Sequence, residues 1–134
     1  MNKNTCYTYF KIVGNFDPSV ITALLNIKPD EYWSIGDKRR DGSAYDFALW
    51  TCGRCDEYDP LVENQMLKTI TPLLDKIDIL NKIREDYDVE FYLQVVPEVY
   101  VDGINPCLAL SLEIIDFCHV TRTKLDIDLY VYKK

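Results

Sequence analysis

The sequence predicts an α+β fold: a single two-layer domain, residues 1–134, with a mostly antiparallel β-sheet and helices packed on one face, in the order β-α-β-α-β(β)-α-β. Three observations carry this. Near the C-terminus Leu125, Ile127, Leu129 and Val131 alternate with Asp126, Asp128, Tyr130 and Tyr132, the period of a strand with one buried and one wet face. Just before it, Ser111 is placed to cap a helix with Ile114, Ile115, Phe117 and Cys118 on one arc and Glu113 and Asp116 opposite. Upstream, strand-like and helix-like stretches interleave.

Taken in order, Cys6 to Val13 alternates loosely and is rich in β-branched and aromatic residues, which predicts a strand that Gly14-Asn15 stops. Asp17 then caps a helix whose first residue is Pro18, where the missing N–H costs nothing. Its buried stripe is Val20, Ile21, Leu24 and Leu25, and Asn26 and Pro29 end it. Residues 30–44 are a long polar loop, although Tyr32, Trp33 and Ile35 are too apolar to hang free in it. Tyr45 to Thr51 is a second strand, with Phe47 and Leu49 on one face and Ala48 and Trp50 on the other. After a polar turn, Asp59-Pro60 repeats the earlier helix start: Tyr58-Asp59-Pro60-Leu61-Val62 echoes Phe16-Asp17-Pro18-Ser19-Val20. The second helix buries Leu61, Val62, Met66, Ile70, Leu73, Leu74 and Ile77. Pro72 removes one of its hydrogen bonds, so a kink or a restart capped by Thr71 is expected, running on to about Asp86. Val89 to Val96 is a strand with Phe91, Leu93 and Val95 inward. Pro97 suits only an edge or a bulge there, Val99 to Val101 continues it, and Asp102-Gly103 turns the chain.

The totals narrow the function. A chain of 134 residues, 48% hydrophobic and 28% charged, is long enough for a core without disulfide or metal staples. A net charge of −7 and a pI near 4.6 argue against nucleic acid as partner, since phosphate binding needs a basic surface. No apolar run reaches the roughly 18 residues of a membrane span, and Met1 to Thr5 does not begin a signal peptide. Five scattered cysteines, an odd number, favour free thiols in a reducing cytoplasm.

Several of these residues also carry a resemblance. Gly14 with Asp17-Pro18, then Pro29 with Trp33-Ser34-Ile35-Gly36-Asp37, then Trp50, then Leu125-Asp126-Ile127-Asp128-Leu129-Tyr130 make the chain similar to the bacterial domain-of-unknown-function family numbered 4279. The resemblance spans nearly the whole chain. It implies a small, mainly bacterial, stand-alone α+β domain, and it implies no activity.

Among stretches able to carry chemistry, Cys52-Gly53-Arg54-Cys55 is the sharpest. A C-x-x-C pair suits a disulfide or half a zinc site. Yet no second ligand pair has the right spacing, and the next helix starts after Cys55, so no helix N-terminus lowers a thiol pKa. Two turn cysteines, with no metal or cofactor, are the simpler reading. His119 is the single histidine, and a place at the edge of the apolar arc suits it better than catalysis. Lys38-Arg39-Arg40 is flanked by Asp37 and Asp41 and reads as self-neutralised loop charge, with Trp33 as a lid over the core.

Two functions compete. In the first, Asp126, Asp128, Tyr130 and Tyr132, with Tyr92 as a further candidate, form an acidic, tyrosine-rich sheet face. It binds a basic protein, as an immunity or inhibitor protein neutralises a basic toxin. In the second, the Trp33–Arg40 loop, with Trp33 and Arg39, closes over Asp128 and Tyr130 to make a pocket for a small ligand or an enzyme reaction. The absence of a catalytic constellation favours binding; the oligomeric state stays open. The alternation also makes Leu129 a core residue, so Leu129→Ala should cost about 2–5 kcal/mol.

Overall fold

In the computed structural model, which describes residues 3–133, the chain forms six strands and four helices. Met1, Asn2 and Lys134, part of the predicted 1–134 domain and of the stretch read for a signal peptide, lie outside the described residues. The elements are β1 (Thr5–Asn15), α1 (Pro18–Leu25), β2 (Glu31–Trp33), β3 (Ala48–Cys55), α2 (Val62–Ile70), α3 (Ile77–Asp86), β4 (Asp88–Tyr100), α4 (Leu112–Thr121), β5 (Lys124–Ile127) and β6 (Tyr130–Tyr132). The strand order is β2-β3-β1-β4-β5, with β6 also on β4. All pairs are antiparallel except β4 with β5 and β6, which α4 reaches by a crossover. This is the α+β architecture expected.

Alternation decides what each strand buries. Cys6, Phe10 and Ile12 of β1, Ala48, Trp50 and Cys52 of β3, and Phe91, Leu93 and Val95 of β4 share the core with Ile21, Met66, Ile70, Leu80, Ile83, Ile114 and Phe117 of the helices. The opposite parity, Tyr7, Tyr9 and Lys11 on β1 and Tyr92 and Glu98 on β4, forms a face that none of these helical core residues touches. Phe10 anchors the core, 5.5 Å from Phe91 and 6.1 Å from Phe117 between ring centroids. Gly14 is required where β1 meets β4: its φ is +147°, and a Cβ would lie 2.0 Å from the Asp88 carbonyl oxygen.

The helix starts differ in an instructive way. Asp17 caps α1 as expected, accepting the Ser19 N–H, and Asn26 ends it in the left-handed conformation. Asp59 makes the same bond to the N–H two residues on, at Leu61, but α2 begins only at Val62. The chain on either side of Leu61 is instead tied to Cys107 by two backbone bonds, the Cys107 N–H donating to the Pro60 carbonyl and the Val62 N–H to the Cys107 carbonyl, which delays the helix. Pro72 does break it: a 3₁₀ turn, Thr71–Leu73, separates α2 from α3. Thr71 does not cap α3, because its hydroxyl donates back to the Leu67 carbonyl. Leu24, Leu61, Leu74 and Ile115, expected inside, are exposed.

The strands bring three further corrections. Residues 31–33, read as loop, pair with β3 as β2, while Tyr32 and Ile35 stay exposed. β4 runs unbroken through Pro97. The Val95 carbonyl accepts the Asp128 N–H, so the backbone groups of Pro97, two residues on, face the same side. Pro97 has no N–H to offer there, and the neighbouring strand is broken opposite it, between β5 and β6. That break interrupts the strand expected to run through Tyr132. On its supposed inner side only Leu125 joins the core; Ile127, Leu129 and Val131 are 40%, 51% and 58% exposed. They lie at the edge of the sheet, past the helices that would cover them.

One polar seam lies within the core. Between Thr8 and Phe10 the ladder to β3 slips, because Cys52, Gly53, Arg54 and Cys55 span what three residues span on β1. Gly53, at φ +69°, makes this a β-bulge. Buried Gln65 and Thr69 of α2 fill the gap. The Gln65 side-chain amide donates to the Cys6 and Cys55 carbonyls at 2.9 and 3.2 Å and accepts the Asp59 N–H. The Thr69 hydroxyl donates to the Gly53 carbonyl at 2.7 Å, and the Thr8 hydroxyl points to Thr69 at 2.8 Å and to the Gln65 carbonyl at 3.2 Å.

Two outcomes follow for stability. Gln65→Leu should cost about 2–4 kcal/mol in denaturant melts, since it strands two strand carbonyls in the core. Leu129→Ala should cost less than about 1 kcal/mol, against about 3–5 kcal/mol for Phe117→Ala, which reverses the sequence-based expectation for Leu129.

Candidate functional site

The face not packed by helices is the candidate site. Register carries its residues across the sheet. Thr51 of β3, Lys11 of β1, Tyr92 of β4 and Lys124 of β5 make one row, and Tyr9, Gln94 and Asp126 make the next. Tyr130 pairs with Glu98 and Tyr132 with Tyr100. The four residues singled out from the C-terminal alternation therefore sit on one face, at one edge. The Tyr130 hydroxyl donates to the Asp128 carboxylate at 3.1 Å, and the Tyr132 hydroxyl to the Glu98 carboxylate at 3.3 Å. Those carboxylates, and for Tyr132 burial first, push the phenol pKa values up, so both rings stay neutral donors.

Cations of the chain itself rest on these rings. Lys11 lies 4.8 Å and Lys124 5.6 Å from the Tyr92 ring centre, and Lys124 pairs with Glu90 at 3.2 Å. The Tyr92 hydroxyl bonds the same Glu90 carboxylate. That bond and Lys124 hold the Glu90 carboxyl below its usual range. The Arg54 guanidinium stacks 4.2 Å over Tyr7. It reaches that ring only because the bulge at Gly53 reverses the alternation after Cys52.

Trp33 and Arg39 occupy the other end. The Trp33 indole stacks on Tyr45 at 3.9 Å and donates to the Phe47 carbonyl, and Arg39 lies 4.6 Å over Tyr45. Trp33 pairs with Leu49, so it covers the open face and not the core. Three strands, β3, β1 and β4, separate this stack from Asp128 and Tyr130. At about 4.8 Å per strand the two groups do not share a cavity. The composite pocket expected from the sequence is not formed. A cleft of about 410 Å³ opens instead between Tyr7, Tyr9, Asp30, Glu31, Thr51 and Arg54. Asp30 is fixed there by the Arg54 N–H, at 2.9 Å.

The cysteines and histidine are elsewhere. Cys52 and Cys55 lie in β3 and not in a turn. Cys52 is buried and free, and burial pushes its thiol up to about 12; Cys6 is pushed up to about 11 for the same reason. His119 is exposed on α4. Among the described residues no group of three or more His, Cys, Asp or Glu side chains is placed to hold a metal, and no helix is long and apolar enough to cross a membrane.

The match to a known family spans the strands and helices just described. The chain belongs to the family named Domain of unknown function (DUF4279), over residues 4–132. None of the curated proteins and none of the solved structures compared matches it. In this DUF4279 domain the resembling segments fall at structural junctions: Gly14 at the β1–β4 approach, Asp17-Pro18 at a helix cap, Trp50 donating to the Thr22 hydroxyl of α1 at 3.0 Å.

Sequence reasoning passed over Tyr7, Tyr9, Gln94 and Arg54. The alternation of residues 6–13 does place Tyr7 and Tyr9 opposite the core, so that signal was present. Arg54 gave none, because a bulge is invisible to a period-two count. Alkylation with iodoacetamide at pH 8 should modify exposed Cys107 first, with Cys52 and Cys6 reacting only on unfolding; peptide mass mapping over time checks this.

Proposed function

We propose that this domain is a non-catalytic protein-binding module whose open sheet face docks a basic protein surface, as an immunity or inhibitor protein docks a basic toxin. The observation that supports it most is the composition of that face: Tyr7, Tyr9, Tyr92, Tyr130 and Tyr132 interleaved with Glu90, Glu98, Asp126 and Asp128. Tyrosines give rigid contact area at low entropic cost, and here hydroxyl–carboxylate bonds hold Tyr92, Tyr130 and Tyr132 in place before any partner arrives. The net charge of −7 speeds encounter with a cationic partner. The alternative, a small-ligand or enzyme site, now rests on the cleft beside Tyr7 and Arg54.

Immobilised protein incubated with extract of its native host, followed by mass spectrometry, should retain a basic protein, with retention falling as salt rises. For that partner, Tyr130→Ala should raise the dissociation rate about tenfold or more, and Asp126→Asn should mainly slow association at low salt. Unchanged affinity of the Asp126→Asn/Tyr130→Ala double variant would remove this face as the interface.

A further inference from the structure

One edge of the sheet lacks the devices that usually close an edge. β2, at the far side, is only three residues long. β5 and β6 together run from Lys124 to Tyr132 and, among the described residues, pair with β4 alone. They continue one another in register: Lys124 faces Tyr92, Ile127 faces Val95 and Tyr130 faces Glu98, at one constant offset. The Asp128 N–H donates to Val95 and the Tyr132 carbonyl accepts from Val101, so both point towards β4. Backbone groups alternate sides along a strand, so those of Leu125, Ile127, Leu129 and Val131 point out from the edge. Their side chains are the apolar row on the helical side, and Ile127, Leu129 and Val131 are exposed. Neither a proline nor a charge on that side interrupts the row.

We propose that a second copy of this chain covers the edge, the two β5–β6 strands pairing antiparallel about a two-fold axis at Leu129. The sequence of the edge is complementary to itself in this register. The outward-pointing residues meet as hydrogen-bonded pairs, Leu129 with Leu129 and Ile127 with Val131, apolar against apolar. On the open face Asp128 comes opposite Tyr130 and Asp126 opposite Tyr132, carboxylate acceptors against phenol donors. Charge excludes the neighbouring registers. Centring the pair on Asp128 sets that carboxylate against itself, and centring it on Ile127 sets Asp126 against Asp128. Centring it beyond Leu129 shortens the seam. A two-fold contact closes on itself, so only the short β2 edges remain free. The axis stands normal to the sheet, which joins the two open faces, with Tyr130 and Asp128 of both copies at the junction. This enlarges the surface of the docking reading above and does not depend on it.

Sedimentation velocity of the full chain tests this. The 15.7 kDa monomer should convert to a dimer with a Kd of about 10–100 μM, because one strand seam is smaller than a standard interface. Salt should tighten the dimer, since each copy carries −7, whereas it weakens capture of a basic protein. Leu129→Lys, which sets two ammonium groups together on the axis, should weaken the dimer about tenfold or more. Its Tm should stay within about 3 °C of the wild type, because Leu129 is exposed. Exposed Cys107 is first replaced by serine for cross-linking. In that background Leu129→Cys should form an intermolecular disulfide on mild oxidation, its two Cα atoms lying about 5.5 Å apart. Val131→Cys, opposite Ile127 of the other copy, should form far less. A chain still monomeric at about 500 μM, an undiminished Leu129→Lys dimer, or equal cross-linking at both positions would each overturn the proposal. So would a monomer whose Ile127 and Leu129 amides are protected from exchange only by another bound protein. A monomer that captures a basic protein leaves the docking reading standing, and a dimer that captures none removes that reading and keeps the seam.

Discussion

The fold depends on the hydrogen bonds that Gln65 and Thr69 make into the gap between β1 and β3. A bulge in the middle of a sheet leaves backbone carbonyls facing a core that cannot hydrate them. Here one glutamine amide and one threonine hydroxyl satisfy the carbonyls of Cys6, Cys55 and Gly53. Because they do, β3 tolerates an extra residue, the strand changes phase, and Arg54 emerges on the open face while Cys52 stays inside. The same bonds hold α2 against β1 and β3. A core of aliphatic residues alone would leave the bulge costly and would favour an unbroken ladder with Arg54 turned inward. The polar seam thus joins the two layers and sets the electrostatics of the exposed one.

Much of the architecture was legible because local chemistry and tertiary packing agree. Asp17-Pro18 cannot easily be anything but a helix start, Pro72 cannot be passed by a helix unbroken, and alternation in residues 6–13 and 89–96 assigned each side chain to the face it occupies. What failed shares a cause. Period two says which side of a strand a residue faces; it says nothing about whether that side is covered. Leu129 and Val131 face the helical side, but they lie at the sheet edge where no helix reaches, so half their surface stays wet. Gln65 and Thr69 fall on the buried arc of the helix beside Val62, and the bulge opposite them explains why that arc carries polar residues. Asp59 makes the local bond of a cap, yet pairing with Cys107, far along the chain, moves the helix start two residues on.

The candidate site was half legible for the same reason. Asp126, Asp128, Tyr130 and Tyr132 could be grouped from one strand. Their neighbours from β1 and β4 required the register, in particular the pairing of Tyr9 with Gln94 and of Gln94 with Asp126. Trp33 and Arg39 were drawn to the wrong end because sequence gives no strand order. Both lie beside β3, and the C-terminal strands lie beyond β4.

The pairing of β1 with β4 has a further consequence, for how the chain is made. Thr5 and Glu98 face each other across the middle of the sheet and lie 93 residues apart. During synthesis, β1 and β3 are able to pair early, with α1 and α2 laid over them, but one edge of β1 remains open until residues 88–100 leave the ribosome. Over that interval Tyr7, Tyr9 and Lys11 stand beside an unpaired row of backbone groups. An open strand edge invites mispairing, and flanking charge and bulges discourage it. Lys11 sits on that strand, so a charge that shapes the finished surface also guards the half-built one.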